Sequence, residues 1–267
     1  MSAQPLNAAL RIMRQPDHWV FLLNRPAKRN ALSADLVEAL LQGVMSALQE
    51  DVPLLVFQGE GRNFSAGFDF TDYEEQSEGD LLLRFVRIEM LLETLATAPC
   101  MTLALAQGRN YGAGADLFAA CRRRICTSDA SFRMPGLNFG LVLGSRRLRA
   151  IVGEAEALRI LGESLSFDAG QARASGFVHD LADEASWGGI IEQAREAAAA
   201  LDSDTRHRLY AALDGPGASV QRQHDMAALV RSAARPGLKA RIGQYLETQK
   251  PALAGRTSLA TGASDRT

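Results

Sequence analysis

Two glycine- and alanine-rich stretches stand where apolar runs end, and both could present backbone N–H groups to a ligand. The first, FSAGFDF (64–70), follows the apolar run at 54–57, and the second, NYGAGADL (110–117), leads into a helix. The first turn of a helix carries unpaired N–H groups and a positive dipole end, which suit an anion or a developing oxyanion. Small residues there also permit close packing of a helix on a sheet. The residues alone leave both interpretations open.

Neither stretch matches a nucleotide-binding fingerprint. GAGADL lacks the third glycine of G-x-G-x-x-G, and QGEGRNFSAG lacks the Gly-Lys-Ser/Thr ending of a phosphate-binding loop. The four histidines have no ligand spacing, so no metal site is predicted. His179 stands beside Asp180, but neither has a recognisable nucleophile context, and we interpret His179 as a packed or surface residue.

The elements that must position these stretches alternate between strand and helix up to about residue 145. Beyond that point the pattern is almost entirely helical, which predicts a parallel-sheet core followed by a helical C-terminal region. The main predicted strands cover 18–23, 53–59, 101–108 and 177–182, and the predicted helices begin near 33 or cover about 80–97, 145–162, 167–175, 185–201, 204–213, 219–234 and 237–249.

Length and composition favour a globular protein. The 267 residues are 47% hydrophobic, enough for a sizeable core, and a net charge of −2 without a basic, aromatic stripe argues against nucleic acid. No apolar run approaches the ~18 residues that span a bilayer, so no membrane partner is expected. Cys100, Cys121 and Cys126 lack Cys-x-x-Cys spacing and lie in apolar contexts, which is typical of buried thiols in a reducing cytoplasm.

A series of segments, in order and spacing, resembles the crotonase superfamily of enoyl-CoA hydratases and isomerases. The resemblance covers most of the chain and implies a crotonase-like α/β fold. Repeated ββα units would occupy 1–190, a helical trimerisation region 191–250, and a flexible tail 251–267. The segments are NRPAKRNALS (24–33), FSAGFDF, GRNYGAGADLFAAC (108–121), RICTSDASFRMP (124–135), ALRILGESLSFDAGQARASGFVHDL (157–181) and LKARIGQYLETQKPA (238–252).

The resemblance implies binding of acyl-CoA thioesters, with the thioester oxygen held between the backbone N–H groups of Phe68 and Ala113. Each such donor typically stabilises a transition state by about 3 kcal/mol. Asp116 falls at the family's first catalytic acid. CoA is part of the substrate, and no tightly bound cofactor is implied. The expected CoA contacts are Lys28, Arg29, Lys250 and the Ser65-Ala66-Gly67 backbone. The small residues of that backbone would admit the thioester. The expected pocket residues are Tyr111, Gly136 and Asn138.

The acids depart from the family pattern. The second acid maps onto Gly136, which carries no proton, and residues 137–150 contain no carboxylate, so two-acid hydration is not expected. Asp116 is one methylene shorter than the family glutamate and is either the only proton carrier or an acid that complements a helix dipole. Asp69 and the acids at 72–75 follow Phe68 and are either solvated or able to enter the pocket.

Two classes of function fit these departures. The first is an acyl-CoA enzyme that stabilises a thioester enolate for isomerisation, or that decarboxylates a malonyl-type thioester whose carboxylate Arg133 or Asn138 would hold. The second is a catalytically silent acyl-CoA-binding protein. Family members resemble trimers or dimers of trimers, so a homotrimer or hexamer is expected. The aromatic residues that suggest a bulky-substrate pocket are Phe68, Phe70, Tyr111 and Phe139.

Overall fold

The computed structural model describes residues 8–214 and 217–257, with the side chains of the last helix described up to residue 249. Within these ranges the strands are β1 (Leu10–Arg14), β2 (Trp19–Leu23), β3 (Leu54–Gly59), β4 (Met101–Ala106), β5 (Arg109–Tyr111), β6 (Arg123–Cys126), β7 (Ser131–Arg133), β8 (Ser166–Asp168) and β9 (Asp180–Leu181).

A six-stranded sheet in the order β1-β2-β3-β4-β6-β9 forms the centre of the fold. β1 pairs with β2 antiparallel, whereas every other neighbouring pair in this sheet is parallel. A second sheet joins β5, β7 and β8, with β5 parallel to β7. The predicted parallel-sheet core is confirmed, and β1 is an edge strand that the sequence pattern did not predict.

The helices cover one face of the main sheet early in the chain and follow one another at the end. They are α1 (Ala34–Gln49), α2 (Glu78–Ala96), α3 (Ala113–Ala120), α4 (Ser145–Val152), α5 (Glu154–Gly162), α6 (Ala169–Ala174), α7 (Trp187–Ala199), α8 (Ser203–Asp214), α9 (Ala218–Ala233) and α10 (Leu238–Thr257).

Local sequence explains where α1 and α2 begin. The Ser33 side chain accepts a hydrogen bond from the Leu36 amide, as the predicted helix start near Ser33 requires. Ser77 and Asp80 form a reciprocal capping box at the start of α2. The two helices pack against each other, and the apolar stripes of both contribute to the core that contains Phe57.

The main sheet is buried on both faces, as expected for parallel strands flanked by helices. Alternate residues of one strand point to opposite faces, so Phe57 and Val56 belong to different cores. Phe57 packs in the larger core with α1, α2 and α3, where Phe21 stacks on it with ring centroids 4.9 Å apart. Val56 packs in a smaller core with Trp187 of α7. The helical layers therefore hold the strand ends in fixed positions.

Three predicted elements differ in the structure. The helix expected over 145–162 is two helices, because Gly153 has φ +82° and ends α4 before α5 starts. The strand expected over 177–182 is only the two-residue β9. α10 continues to Thr257, so the segment predicted as a tail is helical at its start, and residues 258–267 lie outside the described residues.

The predicted burial of the cysteines and the packing of His179 are confirmed. Cys100, Cys121 and Cys126 are all buried free thiols. The His179 ring accepts a hydrogen bond from the Arg124 amide at 3.0 Å, and burial lowers the pKa of this histidine. Among the described helices, none is long and apolar enough to cross a bilayer.

Candidate active site

A cavity of about 440 Å³ lies where the chain leaves β3 and β5. Its walls come mainly from five parts of the chain: 27–31, 66–71, 111–116, 134–145 and 245–249. These parts are distant in sequence, so the cavity is formed only when the sheet, α3 and α10 are all in place.

The amides of Phe68 and Ala113 border this cavity without a partner. Among the described residues, no group accepts a hydrogen bond from either amide, although the chain beside them is paired. The Leu32 amide donates to the Gly67 carbonyl at 2.7 Å, and the Asp69 amide donates to the Leu32 carbonyl at 3.3 Å. Ala113 is the first residue of α3, where helix geometry leaves the amide free. Two donors and the positive end of α3 therefore lie at one cavity.

Glycines bring these two donors together. Gly67 has φ +84°, and a Cβ there would lie 2.2 Å from the Tyr111 carbonyl oxygen and 3.1 Å from the Ala113 nitrogen. A Cβ on Gly114 would lie 2.3 Å from the Ser65 carbonyl oxygen. The absence of side chains at Gly67 and Gly114 therefore lets these two segments of backbone approach each other closely.

Gly67→Ala is expected to destabilise the protein by about 3 kcal/mol and to abolish the acyl-CoA binding that the resemblance implies, because alanine is strained at this φ and its methyl group would push Tyr111 and Ala113 away. Urea unfolding and calorimetric titration measure the two effects. Gly189→Ala is the matched control: this exposed α7 position has no atom within 4 Å of an added Cβ, so its stability should change by about 1 kcal/mol or less. Equal stability of the two variants would contradict the close contact.

Asp116 lies in the first turn of α3 with only 5% of its surface exposed, and it lines the cavity. Burial raises the pKa of its carboxyl to about 8; Arg147 lowers this pKa and Glu89 raises it further. At neutral pH Asp116 is therefore mainly a neutral acid that can deliver a proton into the cavity.

Asp69 is the other carboxyl that lines the cavity among the described residues, and its state is opposite. Burial opposes its charge, but hydrogen bonds from Thr71 and Arg25 outweigh burial and lower the pKa of Asp69. Arg25 Nη1 lies 2.7 Å from Asp69 Oδ2. The acids at 72, 74 and 75 are all exposed, as expected if these side chains are solvated. Asp69 is thus a carboxylate held in its charged form by an ion pair, in contrast to Asp116.

Glu89 and Arg147 were not predicted as site residues. Glu89 of α2 is 3% exposed, and the Arg147 Nη2 of α4 donates to Glu89 Oε1 at 3.0 Å. Burial raises the pKa of Glu89. The sequence did contain a signal for Glu89, because this acid lies in the apolar stripe of a helix, next to Ile88 and in line with Phe85 and Leu92. No local sequence pattern indicated a role for Arg147.

Gly136, onto which the resemblance maps the family's second acid, lines the cavity. It begins a short 3-10 turn, Gly136–Phe139, after Pro135. Its φ is ordinary, and an added Cβ would lie 3.2 Å from the Leu141 carbonyl oxygen, so a side chain fits with a shift of a few tenths of an ångström. No carboxylate from another described residue takes this place in the cavity lining.

The expected CoA contacts divide into three groups. Lys28 and Arg29 are exposed and line the cavity, and Ala66 lines it as well. Ser65 is buried behind the lining, where its hydroxyl donates to the Asn30 carbonyl and accepts from the Gly67 amide. Lys250 lies in α10, but its side chain falls outside the described residues.

Two residues proposed to hold a substrate carboxylate point elsewhere. The Arg133 guanidinium donates to the Ser164 carbonyl and to Gln249 Oε1 at 2.9 Å each. The Asn138 amide oxygen accepts from the Ser164 hydroxyl at 3.0 Å. Neither residue lines the cavity, which corrects the placement of Asn138 in the pocket. Tyr111, in contrast, lines it as expected.

A cluster of aromatic side chains lines part of the cavity. Phe68 stacks on Phe85 with centroids 4.3 Å apart, and Phe139 lies 5.2 Å from Tyr245 of α10. Phe70 contacts both Phe139 and Tyr245. The aromatic lining predicted from Phe68, Phe70 and Phe139 is therefore present, and α10 adds to it.

Comparisons with known proteins agree with this geometry. A sequence model of the enoyl-CoA hydratase/isomerase family matches residues 19–253. A solved structure from Bordetella parapertussis, named as an enoyl-CoA hydratase/isomerase, is 62% identical with a TM-score of 0.87, covering 90% of this chain and 99% of that one.

Two curated relatives match over shorter lengths. A Bacillus subtilis protein named as an enoyl-CoA hydratase is 34% identical over 195 residues, covering 68% of this chain and 72% of that protein. The ethylmalonyl-CoA decarboxylase of Bos taurus is 27% identical over 184 residues, covering 66% of this chain and 60% of that protein. By its fold, its sequence and the order of its motifs, the chain belongs to the enoyl-CoA hydratase/isomerase family of the crotonase superfamily.

Proposed function

We propose that this protein is an enzyme that binds acyl-CoA thioesters and stabilises the thioester enolate between the amides of Phe68 and Ala113. Asp116 carries the proton at the carbon that reacts. The observation that supports this function best is the convergence of two unpaired amides and a neutral buried acid on one cavity. Preorganised donors of this kind are each worth about 3 kcal/mol in the transition state.

Two reactions need only one proton carrier. In isomerisation, ionised Asp116 removes a proton from the carbon next to the thioester and returns it at the far end of the shifted double bond. In decarboxylation, the bond from the α-carbon to the carboxylate breaks, CO₂ leaves, and the electron pair forms the enolate. Neutral Asp116 then protonates the α-carbon and regains a proton from solvent.

Decarboxylation is favoured by the protonation state of Asp116 at neutral pH and by the apolar cavity wall. Phe85, Phe139 and Leu141 line the cavity, and an ionised substrate carboxylate held against such residues loses its hydration. Loss of CO₂ relieves that cost. The kinship with an ethylmalonyl-CoA decarboxylase supports the same direction.

The substrate's CoA would lie against Lys28 and Arg29 at the exposed rim, and no tightly bound cofactor is needed. We also propose that the helical region over 191–250 packs between subunits of a trimer or a dimer of trimers. Leu213 and Val220 support this assembly, because they are 66% and 54% exposed in that region.

The pH dependence of turnover is expected to separate the two reactions, because they need opposite forms of Asp116. Decarboxylation should be constant at low pH and fall about tenfold per unit above pH 8, whereas isomerisation should rise through the same range. Stopped assays on a panel of malonyl-type and 3-enoyl-CoA thioesters measure both. Calorimetry with acyl-CoA and free CoA is the control for binding.

Binding of thioesters without turnover of any would indicate the silent acyl-CoA-binding protein instead. Negligible affinity for both acyl-CoA and CoA would overturn the proposed function.

A further inference from the structure

We propose that Glu89 and Arg147 are positioning residues, whose mutual ion pair commits the Arg147 guanidinium to Glu89 and so keeps the proton on Asp116. This inference concerns two residues outside the cavity lining. The role of that proton in turnover rests on the proposed function, whereas the pairing itself can be tested without a substrate.

Three ionisable groups share one buried space beside the cavity. A Cβ on Gly144 would lie 2.0 Å from Asp116 Oδ1 and 3.7 Å from Arg147 Nη1, so both atoms lie close to this glycine. Gly144 has φ +66°, and it leaves the space that Asp116 occupies. The other side of the guanidinium is bonded to Glu89, with 3.0 Å between Nη2 and Oε1.

The pair is incompletely satisfied. Among the described residues, the buried atoms Arg147 Nη1 and Glu89 Oε2 have no hydrogen-bond partner. A single cation thus lies between two buried acids, and it is bonded to only one of them. Two negative charges that share a single cation in a buried space are costly in free energy. Asp116, the acid without the ion pair, therefore retains its proton.

The other charges around the cluster are already paired. Asp225 of α9 faces Glu89 but is bound by Arg146, with 2.6 Å between Nη2 and Oδ2. Glu93, one turn along α2, also faces Glu89 and pairs with Arg222 at 3.2 Å. The charged groups that act on Asp116 itself are Arg147 and Glu89. The balance between these two sets the protonation of Asp116.

Glu89→Gln tests this balance, because glutamine keeps the shape of the side chain and removes its charge. The uncompensated Arg147 should then stabilise ionised Asp116, and the titration midpoint of Asp116 should fall from about 8 by about one pH unit or more. Carbon-13 NMR of protein labelled at aspartate carboxyls measures the midpoint, with the Asp116 signal identified by its loss in Asp116→Asn.

Three further variants make the assignment specific. Glu93→Gln removes the same charge one turn away and should shift the midpoint far less. Glu89→Gln combined with Arg147→Met removes both charges and should restore the midpoint to near 8, since no free cation remains. Glu89→Asp keeps the negative charge but holds it farther from Arg147, so it should lower the Asp116 midpoint by less than Glu89→Gln does. If Glu89→Gln does not fold, Glu89→Asp replaces it as the test.

An unchanged midpoint in Glu89→Gln, or an equal shift in Glu93→Gln, would overturn the positioning role. In an active enzyme the pH profile of turnover should move with the NMR midpoint. Absence of turnover in every variant, together with the expected NMR shifts, would count against the proposed function alone, so the two failures are distinguishable.

Discussion

Asp116→Asn is expected to reduce turnover of the enzyme's thioester substrate by about 10²- to 10⁴-fold, the usual contribution of a positioned proton carrier. Asparagine has the same shape, and Asp116 is mainly neutral at pH 7, so the substitution removes the transferable proton with little change in charge. Affinity for the CoA thioester should stay within about threefold. Single-turnover rates and calorimetric binding measure the two quantities separately.

Asp72→Asn is the matched control for this prediction. Asp72 is exposed, lies outside the cavity lining, and has φ +57°, which asparagine tolerates well. Its turnover should equal that of the unmodified protein. Retention of full turnover in Asp116→Asn would mean that a group other than Asp116 moves the proton.

Hydration of crotonyl-CoA is expected to be about 10²- to 10⁴-fold slower than in an enzyme with both acids, because Gly136 cannot position or protonate water. Gly136→Glu should raise hydration by about 10²-fold, since the added side chain enters the cavity with only a small shift at Leu141. Asp116→Glu in the same chain should raise the hydration rate further, because the resemblance implies a glutamate, one methylene longer, at position 116. A spectrophotometric assay of enoyl thioester loss measures these rates.

Gly136→Gln fills the same space without an ionisable carboxyl and should hydrate no faster than the unmodified protein. Ordinary hydration by the unmodified protein would contradict the prediction, because a second acid at a position other than 136 would then have to act on the water, and Asp69 is the other carboxyl in the described lining.

The sequence predicted the parallel core well because its signals were local. Apolar runs at 18–23, 53–59 and 101–108 became β2, β3 and β4, and Ser33 caps α1 as expected. β1 was missed because only Leu10 of its five residues is buried, so it lacks a strong apolar pattern. The break at Gly153 was missed because the helical periodicity on its two sides is compatible with one helix.

The sequence predicted several residues of the cavity lining, but it did not predict side-chain directions that depend on residues distant in the chain. Phe68, Ala113, Asp116 and Gly136 all border the cavity. Asn138 was expected there too. Its side chain instead accepts a hydrogen bond from the Ser164 hydroxyl, and Ser164 is 26 positions away in the chain. The Glu89–Arg147 pair joins α2 to α4 over 58 positions, and such a pairing has no local pattern.

Helix α10 completes the cavity. Tyr245 and Gln249 of α10 line the cavity, and Gln249 is fixed by Arg133, 116 positions earlier in the chain. Arg241 of the same helix donates to the Phe139 carbonyl at 2.9 Å. During synthesis the strands and the two amides are made before α10, so the cavity is expected to stay open to water until α10 has been made and has packed in place. A nascent or truncated chain can thus be folded at its centre while still lacking an enclosed place for the chemistry.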